Sequence, residues 1–436
     1  MLKVLTLFSL VLILFSCKTP GTVFSKKTAH EQYADKLTST GLNATALGKK
    51  WFEVGNKAVI NAIAIQLPYQ ETGYFSSEFP GATALSFSAK RGERLIITVQ
   101  KTPASNYLFF GDLFQQQNTN TRYLQSIDTL TNLLEFNVKE NTSFVLRLQP
   151  ELLQSCSYTL SIKTGPSLAF PAPSPNAKNK VISYWGAGRD NGARKHEGID
   201  IGGSRGTPLL AVGEGVVSSV TENNLGGKVV FIRSNSSNET WYYAHLDSQI
   251  AINGQRVKTG DVIGLMGNTG NARTTSPHLH FGIYTMGGAV DPFPYVNPIK
   301  AEPAAITASR NSLGTTMRIT KPTTQVLLTP GTLPGEKAGD NLPVRIVAAT
   351  GNMYKVTLPG GEIRFIAASN LDPLDKKLRQ TKLKAAAVLT DAPQPGAPVI
   401  ASLKEGNSVD VLASFGNYQY VAAENKKGWI VQPATN

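Results

Sequence analysis

The positions of the histidines are the clearest indication of a chemical site in this sequence. The chain has five histidines, and His196, His245, His278 and His280 are four of them. Asp200 follows His196 in the sequence, four positions later. Imidazole is the commonest metal ligand and the usual proton carrier near neutral pH. We therefore predict that these four histidines and the aspartate form a single site.

The segment HEGIDIGG, residues 196–203, alternates small or polar residues with larger ones at a period of two. This period predicts a strand with His196 and Asp200 on one face. In a fully extended strand their Cα atoms would be roughly 13 Å apart, whereas zinc–ligand bonds are about 2 Å long. We therefore expect the backbone to bend at Gly198, because glycine has the necessary conformational freedom. The helical zinc motif HExxH is excluded because Asp200 stands where its second histidine would be, and Glu197 is expected to face away from the metal.

The segment HLH, residues 278–280, has the same strand geometry and places its two histidines on one face. Three protein ligands and an open fourth position are the arrangement of a catalytic zinc. His196, Asp200 and one histidine of HLH provide such a set. A zinc-bound water becomes a nucleophile as its pKa falls toward about 7. His245 and His278 are then candidates to flank the water and the developing oxyanion.

Three motifs together resemble the lysostaphin-type (LytM-like) zinc metallopeptidases, which are peptidoglycan endopeptidases: HEGID, YYAHL and PHLHF. The resemblance extends over about residues 181–298 and includes GTPLLAVGEGVVSSV and TGDVIGLMGNTG. In that family the HxxxD pair and the second histidine of HxH bind zinc. The resemblance implies zinc ligands at His196, Asp200 and His280 and catalytic histidines at His245 and His278. A looser correspondence within GRDNGARK implies substrate-binding residues at Arg189, Asn191 and Arg194.

The length of 436 residues predicts three or four domains. The 39 glycines and 25 prolines favour strands and turns over long helices, so the predicted fold class is mainly β. A net charge of +13 suits an acidic polymer such as peptidoglycan but also other polyanions. The sequence has no nucleic-acid recognition motif, and its Lys and Arg residues are dispersed. With two cysteines, disulfides are not expected to stabilise the chain, and Cys156 is expected to be a small strand residue.

The N-terminal segment has one lysine and then an apolar run from Val4 to Phe15. This run is shorter than the roughly 20 residues that span a bilayer, which predicts a signal peptide over residues 1–16. The sequence LFSC resembles the lipobox of bacterial lipoproteins and implies that Cys17 carries a lipid anchor. An ordinary signal peptide with a chance cysteine is the alternative. Because Lys18 follows the cysteine, we expect attachment to the outer membrane, facing the periplasm.

Two further patterns precede the motif-bearing region. Apolar residues three or four apart predict a helical segment over residues 17–58, with His30 on its surface. Strand-like runs such as ALSFSA, RLIITVQ and YTLSIK predict an antiparallel β-sandwich over residues 59–164, as either a binding module or a spacer. The Pro-rich residues 165–180 are a predicted linker to the metallopeptidase domain, residues 181–300.

An internal repeat follows a second predicted linker, residues 301–314. VRIVAATGNMYKV (344–356) matches VDVLASFGNYQYV (409–421), and both contain Gly-Asn after the first strand-like run. We predict two small β-barrels, over residues 315–374 and 381–436. The second resembles bacterial SH3-like wall-binding domains, and this resemblance implies a tether to peptidoglycan. A packing or dimerising role is the alternative.

These predictions describe a secreted, lipid-anchored zinc endopeptidase that cuts the peptide cross-links of bacterial peptidoglycan. One alternative is a non-catalytic LytM-like activator of a wall amidase, although relatives of that type have lost zinc ligands that this chain keeps. The other is a peptidoglycan-binding scaffold lipoprotein with a structural zinc, which His245 or His278 would close as fourth ligand. An outer-membrane location favours direct D-Ala–diaminopimelate links, while the family also includes enzymes that cut glycine bridges.

Overall fold

The computed structural model describes residues 27–104, 107–118, 120–173, 179–189, 192–321, 325–327, 336–337, 339 and 341–432. Over this part of the chain, strands dominate and form several sheets whose pairings are almost all antiparallel. The predicted fold class, mainly β with several antiparallel sheets, is therefore confirmed. The predicted lipid site, Cys17, lies outside the described residues.

Two helices precede the first sheet, as the periodicity of residues 17–58 predicts. Thr28 starts the first helix with a capping box, since its hydroxyl accepts from the Glu31 N–H and the Glu31 carboxylate accepts from the Thr28 N–H. Trp51 anchors the second helix by donating its indole N–H to the Pro150 carbonyl at 2.9 Å. No helix in the described ranges has both the length and the apolar character needed to cross a membrane. The helices are α1 (Ala29–Ser39) and α2 (Ala46–Ile60), separated by a 3₁₀ turn at Leu42–Ala44.

His30 on α1 is half-buried, so the prediction of a surface position is wrong. Its ring stacks on Trp51 with the ring centroids 4.7 Å apart. Its Nε2 lies 2.9 Å from Gln149 Oε1, and because that oxygen accepts, the imidazole donates. Burial lowers the pKa of His30, and the nearby charge of Arg147 lowers it further. The sequence pattern did not reveal this position because the residues around His30 come from distant segments.

Residues 59–164 form two sheets around one hydrophobic core. The predicted alternation is present in β4, where Leu95, Ile97 and Val99 are buried in that core. Cys156 is a buried strand residue with a free thiol, as predicted. The strands of this region are β1 (Ile63–Ala64), β2 (Tyr69–Phe75), β3 (Thr83–Ala89), β4 (Glu93–Thr102), β5 (Phe109–Gln117), β6 (Asn120–Ser126), β7 (Leu133–Asn137), β8 (Thr142–Pro150) and β9 (Cys156–Pro166). One sheet has the order β1-β3-β8-β5-β6, and β2-β9-β4-β7 belong to the other.

The motif-bearing region has its own sheet and core. Its strands and helix are β10 (Val181–Ser183), β11 (Gly188–Arg189), β12 (Arg194–Lys195), β13 (Ile199–Gly202), β14 (Pro208–Leu210), β15 (Gly215–Asn223), β16 (Gly227–Ser234), β17 (Thr240–Gln249), β18 (Arg256–Val257), β19 (Val262–Met266), β20 (His278–Thr285), β21 (Gly288–Val290) and α3 (Phe293–Val296). The main path through the sheet is β10-β13-β20-β17-β16-β15-β18, and β11 and β12 form a separate hairpin. Two of its central neighbours, β13 and β20, carry residues of the predicted site.

The remaining strands belong to the region of the internal repeat. They are β22 (Thr316–Ile319), β23 (Gln325–Val326), β24 (Glu336–Lys337), β25 (Pro343–Thr350), β26 (Met353–Thr357), β27 (Ile363–Ala367), β28 (Leu371–Pro373), β29 (Arg379–Lys382), β30 (Ala387–Thr390), β31 (Val399–Leu403), β32 (Ser408–Phe415), β33 (Tyr418–Ala423) and β34 (Lys426–Val431).

Both copies of the repeat fold into a three-stranded antiparallel meander, β25-β26-β27 and β32-β33-β34. The first hairpin of each copy turns at its Gly-Asn pair, with Gly351 at φ 51° and Gly416 at φ 54°. This left-handed conformation favours glycine. The strand register shifts at residues 346–348 in the first copy and at 411–413 in the second. The repeated sequence therefore encodes a repeated structure, while the SH3-like identity stays a prediction.

The first repeat copy is joined to the two-sheet region by a shared sheet, because β2 pairs with β25. A buried ion pair lies at this junction, with Lys355 Nζ 2.7 Å from Glu71 Oε2. Tyr69 and Tyr158 donate their hydroxyls to the same carboxylate, each at 2.7 Å. Residues far apart in sequence therefore hold these two regions together.

Parts of both predicted linkers are docked on neighbouring structure. Leu168 packs on the core of the motif-bearing region, and its N–H donates to the Tyr295 carbonyl at 2.9 Å. Ala308 is buried, and its N–H donates to the Gly351 carbonyl at 3.0 Å. Residues 174–178 of the first linker lie outside the described residues.

Candidate metal centre and groove

Neighbouring strands bring the predicted ligands together. In the register of β13 against β20, Asp200 lies directly opposite His280. His196 precedes β13, since that strand begins only at Ile199, and the intervening bend at Gly198 was predicted from the distance between the two ligands. The predicted strand is therefore shorter than the sequence pattern, and His196 enters the site from a loop.

Gly198 has a second role that the sequence did not reveal. A Cβ added at this position would lie 2.6 Å from His280 Cε1, 2.7 Å from His280 Nε2 and 2.6 Å from the Phe281 carbonyl oxygen. These separations are far inside van der Waals contact. Only glycine therefore lets the loop pass this closely over the His280 ring.

Three donor atoms converge at the base of the site. His196 Nε2 lies 2.9 Å from His280 Nδ1 and 3.0 Å from Asp200 Oδ1, and His280 Nδ1 lies 3.1 Å from the same oxygen. A tetrahedral zinc with bonds of about 2.05 Å separates its ligands by about 3.3 Å. Shifts of a few tenths of an ångström would make this triangle fit zinc. The chemistry of two imidazoles and one carboxylate also suits that metal.

Neighbouring groups orient the donors. His196 Nδ1 lies 3.0 Å from the Tyr184 carbonyl, and because a carbonyl only accepts, this nitrogen must carry the proton. The Nε2 lone pair of His196 therefore points at the triangle. Arg189 donates from Nη2 to Asp200 Oδ2 at 2.6 Å and to Ser183 Oγ at 2.9 Å. Burial raises the pKa of Asp200, but the neighbouring imidazoles of His196 and His280 outweigh it and hold the pKa of the carboxyl well below its ordinary range.

His245 and His278 lie beside the triangle but outside it. Their ring centroids are 5.0 Å apart, and His245 is 6.0 Å from the ring of His280. The strand register of β17 against β16 shifts next to His245, which has a left-handed φ of 65°. Bulges of this kind redirect side chains near functional sites. The period-two pattern alone gives no sign of this distortion.

Both of these imidazoles have a defined tautomer. His245 Nδ1 lies 2.9 Å from the Thr269 carbonyl, and His278 Nδ1 lies 2.9 Å from the Ser276 carbonyl. Each Nδ1 must donate, which leaves each Nε2 as an acceptor in the neutral ring. Burial, followed by the charges of His278 and His280, lowers the pKa of His245 to about 4. His245 is thus neutral near pH 7 and able to accept a proton.

A groove of about 650 Å³ leads to the triangle. Of the predicted substrate residues, Arg189 and Arg194 line it, and Asn191 lies outside the described residues. Glu197 also lines the groove but is not part of the donor triangle. The described residues that line the groove are Arg189, Arg194, Lys195, His196, Glu197, Asp200, Leu225, Gly226, Tyr242, Ala244, His245, Asn271, Ala272, Thr275, His278, His280 and Tyr284.

Sequence reasoning missed the groups that orient the site. The carbonyls of Tyr184, Thr269 and Ser276 select the tautomers, and Ser183 holds the Arg189 guanidinium. A carbonyl has no residue-type signal, because every residue carries one. These contacts therefore depend on the folded backbone.

The fold and the donor set define an antiparallel β region with a candidate two-histidine, one-aspartate metal centre. Residues 194–292 match peptidase family M23. The resemblance predicted from the three motifs is thereby confirmed at the level of this family for this region. The match covers the chain from β12 to the strand after β20, which includes the whole triangle.

Three relatives align with part of the chain. Peptidoglycan DD-endopeptidase ShyC of Vibrio cholerae serotype O1 is 39% identical over 94 residues, 22% of this chain and 21% of the relative. L-Ala–D-Glu endopeptidase of Bacillus subtilis (strain 168) is 36% identical over 140 residues, 29% of this chain and 42% of the relative. The uncharacterized lipoprotein YgeR of Escherichia coli (strain K12) is 39% identical over 159 residues, 34% of this chain and 60% of the relative. The chain thus spans less than two thirds of the length of each of these relatives.

Proposed function

We propose that this chain is a zinc-dependent endopeptidase that hydrolyses peptide cross-links of bacterial peptidoglycan. The observation that carries the proposal is the triangle of donor atoms from His196, Asp200 and His280 at the base of an open groove. Three protein ligands leave a fourth position for water or substrate, as in catalytic zinc sites. The match to peptidase family M23 supports the same reaction class.

The residues around the triangle have separate roles in this proposal. His196, Asp200 and His280 would hold the metal, which when bound supplies Lewis-acid activation of water and of the scissile carbonyl. His245, neutral and with Nε2 free to accept, takes the proton from the attacking water. His278, whose Nδ1–H is held by the Ser276 carbonyl, would stabilise the developing oxyanion as a donor, with Nε2 carrying a proton, and the proton taken up by His245 would pass to the leaving amine. Arg189 orients Asp200 through its second carboxylate oxygen.

Peptidoglycan is the proposed substrate for two reasons. One relative is named a peptidoglycan DD-endopeptidase, and another is named for the bond between L-Ala and D-Glu, which includes a D-amino acid. The net charge of +13 also favours an acidic polymer. Because the two relatives are named for different bonds, the cleaved bond has to be read from products.

Digestion of purified sacculi tests this function. The zinc-loaded chain should release un-cross-linked fragments that mass spectrometry assigns to single peptide bonds. His280→Ala should abolish release, and His278→Ala should lower the rate by about 10²-fold or more, the typical contribution of a positioned acid or base. His30→Gln is the matched control, because His30 lies outside the groove and glutamine keeps its hydrogen-bonding capacity. Equal release by wild type and His280→Ala would refute the enzyme and favour a non-catalytic wall protein.

We further propose that residues 1–16 are a signal peptide and that Cys17 carries a lipid anchor at the outer membrane, facing the periplasm. The lipobox-like LFSC and the lipoprotein name of the E. coli relative support this proposal. Metabolic labelling with a radioactive fatty acid should mark the wild type and not Cys17→Ser. Labelling of both proteins would refute the anchor.

The repeat region is proposed to form two SH3-like modules, residues 315–374 and 381–436, that retain the enzyme on the wall. The matched meanders of the two copies support their common origin. Deleting residues 381–436 should lower co-sedimentation with sacculi while leaving zinc binding unchanged. Unchanged co-sedimentation would favour a packing role for the second copy.

A further inference from the structure

A second cavity lies where α2, the two-sheet region and the first repeat copy meet, and we call it the junction cavity. Its volume is about 410 Å³, within the range of about 300–1,000 Å³ that is usual for small-ligand sites. It shares no lining residue with the groove at the metal centre. The junction cavity is therefore a candidate for a separate binding site.

One wall of the junction cavity is a face of the first repeat sheet. In the register of β25, β26 and β27, Arg345 lies directly opposite Thr357, and Thr357 lies directly opposite Ile363. Side chains of directly paired residues lie on the same face of a sheet, and all three of these residues line the cavity. This wall therefore presents a cation, a hydroxyl and an apolar side chain in one row.

A face of α2 forms another wall. Val54, Lys57, Ala58 and Asn61 line the cavity, and their spacing of three and four positions places them on one side of the helix and its C-cap. The cavity thus lies between a helix face and a sheet face, and both faces contribute apolar side chains.

The charged side chains that line the cavity are all cations. Lys57, Arg345 and Lys355 line it, and none of its described lining residues is an aspartate or a glutamate. Lys57 is paired with Glu53, and Lys355 is paired with the buried Glu71. The guanidinium of Arg345 has no hydrogen bond or ion pair with any residue in the described ranges. Arg345 is therefore the cation that is left for a ligand.

An aromatic ring holds the guanidinium in place. Arg345 is half-buried, and its Cζ lies over the Phe79 ring, 5.2 Å from the ring centroid. A guanidinium over a ring face keeps its in-plane N–H groups free, and these groups match the two oxygens of a carboxylate. The position of Arg345 therefore suits a carboxylate that enters the cavity.

Two polar side chains favour a peptide over an acyl chain as the body of this ligand. The Asn61 carboxamide and the Thr357 hydroxyl line the cavity, and neither forms a hydrogen bond with another described residue. A peptide can bind both groups with its own N–H and C=O groups, whereas an acyl chain would cover them without supplying partners. The polar groups and the cation together suit a short peptide with a free carboxylate.

We propose that the junction cavity binds the C-terminal carboxylate of a short peptide with small apolar side chains, and that Arg345 is the carboxylate ligand. The identity of this peptide as the free end of a wall stem rests on the proposed function. The site is non-catalytic, because the donor triangle belongs to the other groove. Binding at the junction cavity would hold the chain on the wall independently of cleavage.

Isothermal titration calorimetry of the zinc-loaded full chain tests the site with two probes, acetyl-D-Ala-D-Ala and its C-terminal amide. Wild type should bind the free carboxylate about tenfold more tightly, the lower range for hydrogen bonds to a charged group. Arg345→Gln should reduce this ratio to about one. Arg256→Gln, an equal charge change at an exposed position outside the cavity, should keep the wild-type ratio. A wild-type ratio of one, or a ratio that survives Arg345→Gln, would overturn the proposal.

A second variant and a third probe test the peptide. Thr357→Val keeps the shape of the side chain but removes its hydroxyl, and it should weaken the binding of both probes about threefold without changing their ratio. Wild-type affinity in Thr357→Val would refute the hydrogen bond to the peptide. Hexanoate carries the same charge without peptide groups, so tighter binding of hexanoate than of acetyl-D-Ala-D-Ala would assign the cavity to a fatty acid and overturn the peptide.

The outcome for the junction cavity is separable from the outcome for the metal centre. Cleavage of sacculi by a chain without the carboxylate preference would leave the endopeptidase standing and refute the junction site. A carboxylate preference that Arg345→Gln removes, in a chain that does not cleave sacculi, would support the junction site and refute the endopeptidase.

Discussion

A methyl group at position 198 would enter space that the His280 imidazole now occupies. The Cβ of Gly198→Ala would lie 2.6 Å from His280 Cε1 and 2.7 Å from His280 Nε2. Ordinary contact between such atoms is about 3.5 Å, so either the ring or the loop must move by almost 1 Å. Metal sites tolerate about 0.2 Å in ligand distance. Because the loop carries His196 and the ring belongs to His280, either movement displaces a ligand.

The expected consequence is weaker zinc binding in a folded protein. Displacement of a ligand by this amount should raise the dissociation constant for zinc about 10- to 100-fold, the range seen when the groups that orient metal ligands are removed. This corresponds to about 1.4–2.7 kcal/mol of binding free energy. Competition with a chromophoric chelator measures the constant directly, and circular dichroism checks that the fold is retained.

Gly287→Ala is the matched control. Gly287 is an exposed turn residue without a left-handed φ, and a Cβ there would meet only Thr285 Oγ1 at 3.7 Å, an ordinary contact. Gly287→Ala should therefore bind zinc like wild type. Wild-type zinc affinity in Gly198→Ala would show that His280 does not need the space above its ring. The claim that only glycine at position 198 lets the loop pass over the His280 ring would then be wrong.

The buried ion pair and the buried histidine allow two further predictions about stability. Lys355→Met leaves Glu71 buried without its cation and should lower the free energy of unfolding, measured by urea denaturation, by about 3–5 kcal/mol. The double variant Glu71→Gln/Lys355→Met should recover most of that loss. Equal losses in the single and double variants would contradict this prediction. The lowered pKa of His30 means that the unfolded chain binds a proton more readily than the folded one. The free energy of unfolding should therefore fall as the pH drops below about 6.5, the pKa of His30 in the unfolded chain. The slope is at most about 1.4 kcal/mol per pH unit and ends at the lower pKa of His30 in the folded chain. His30→Gln should remove this part of the pH dependence, and identical pH profiles for the two proteins would exclude His30 as its source.

The parts of this protein that could be predicted from sequence are those with a local pattern. The period-two pattern of HLH predicted β20, and the spacing between His196 and Asp200 required a bend, which the structure has at Gly198. The repeat predicted matching hairpins because Gly-Asn marks the same turn twice. In each case the residues that determine the structure lie within a few positions of one another.

The remaining features depend on contacts between distant segments. Glu71 and Lys355 are unremarkable in their own strands, and only the pairing of β2 with β25 makes them partners. His30 carried no signal of burial, because Trp51 and Gln149 reach it only in the folded chain. The bend residue Gly198 was predicted for its flexibility, whereas the structure adds a steric requirement set by His280.

The coordination of the metal tests the central claim most directly. A crystal structure of the zinc-loaded chain, with anomalous data at the zinc edge, should show one peak bound by His196 Nε2, Asp200 Oδ1 and His280 Nδ1, with a non-protein fourth ligand. A peak closed by His245 or His278 as a fourth protein ligand would identify a structural zinc and contradict the proposed hydrolase, and so would the absence of zinc from the triangle.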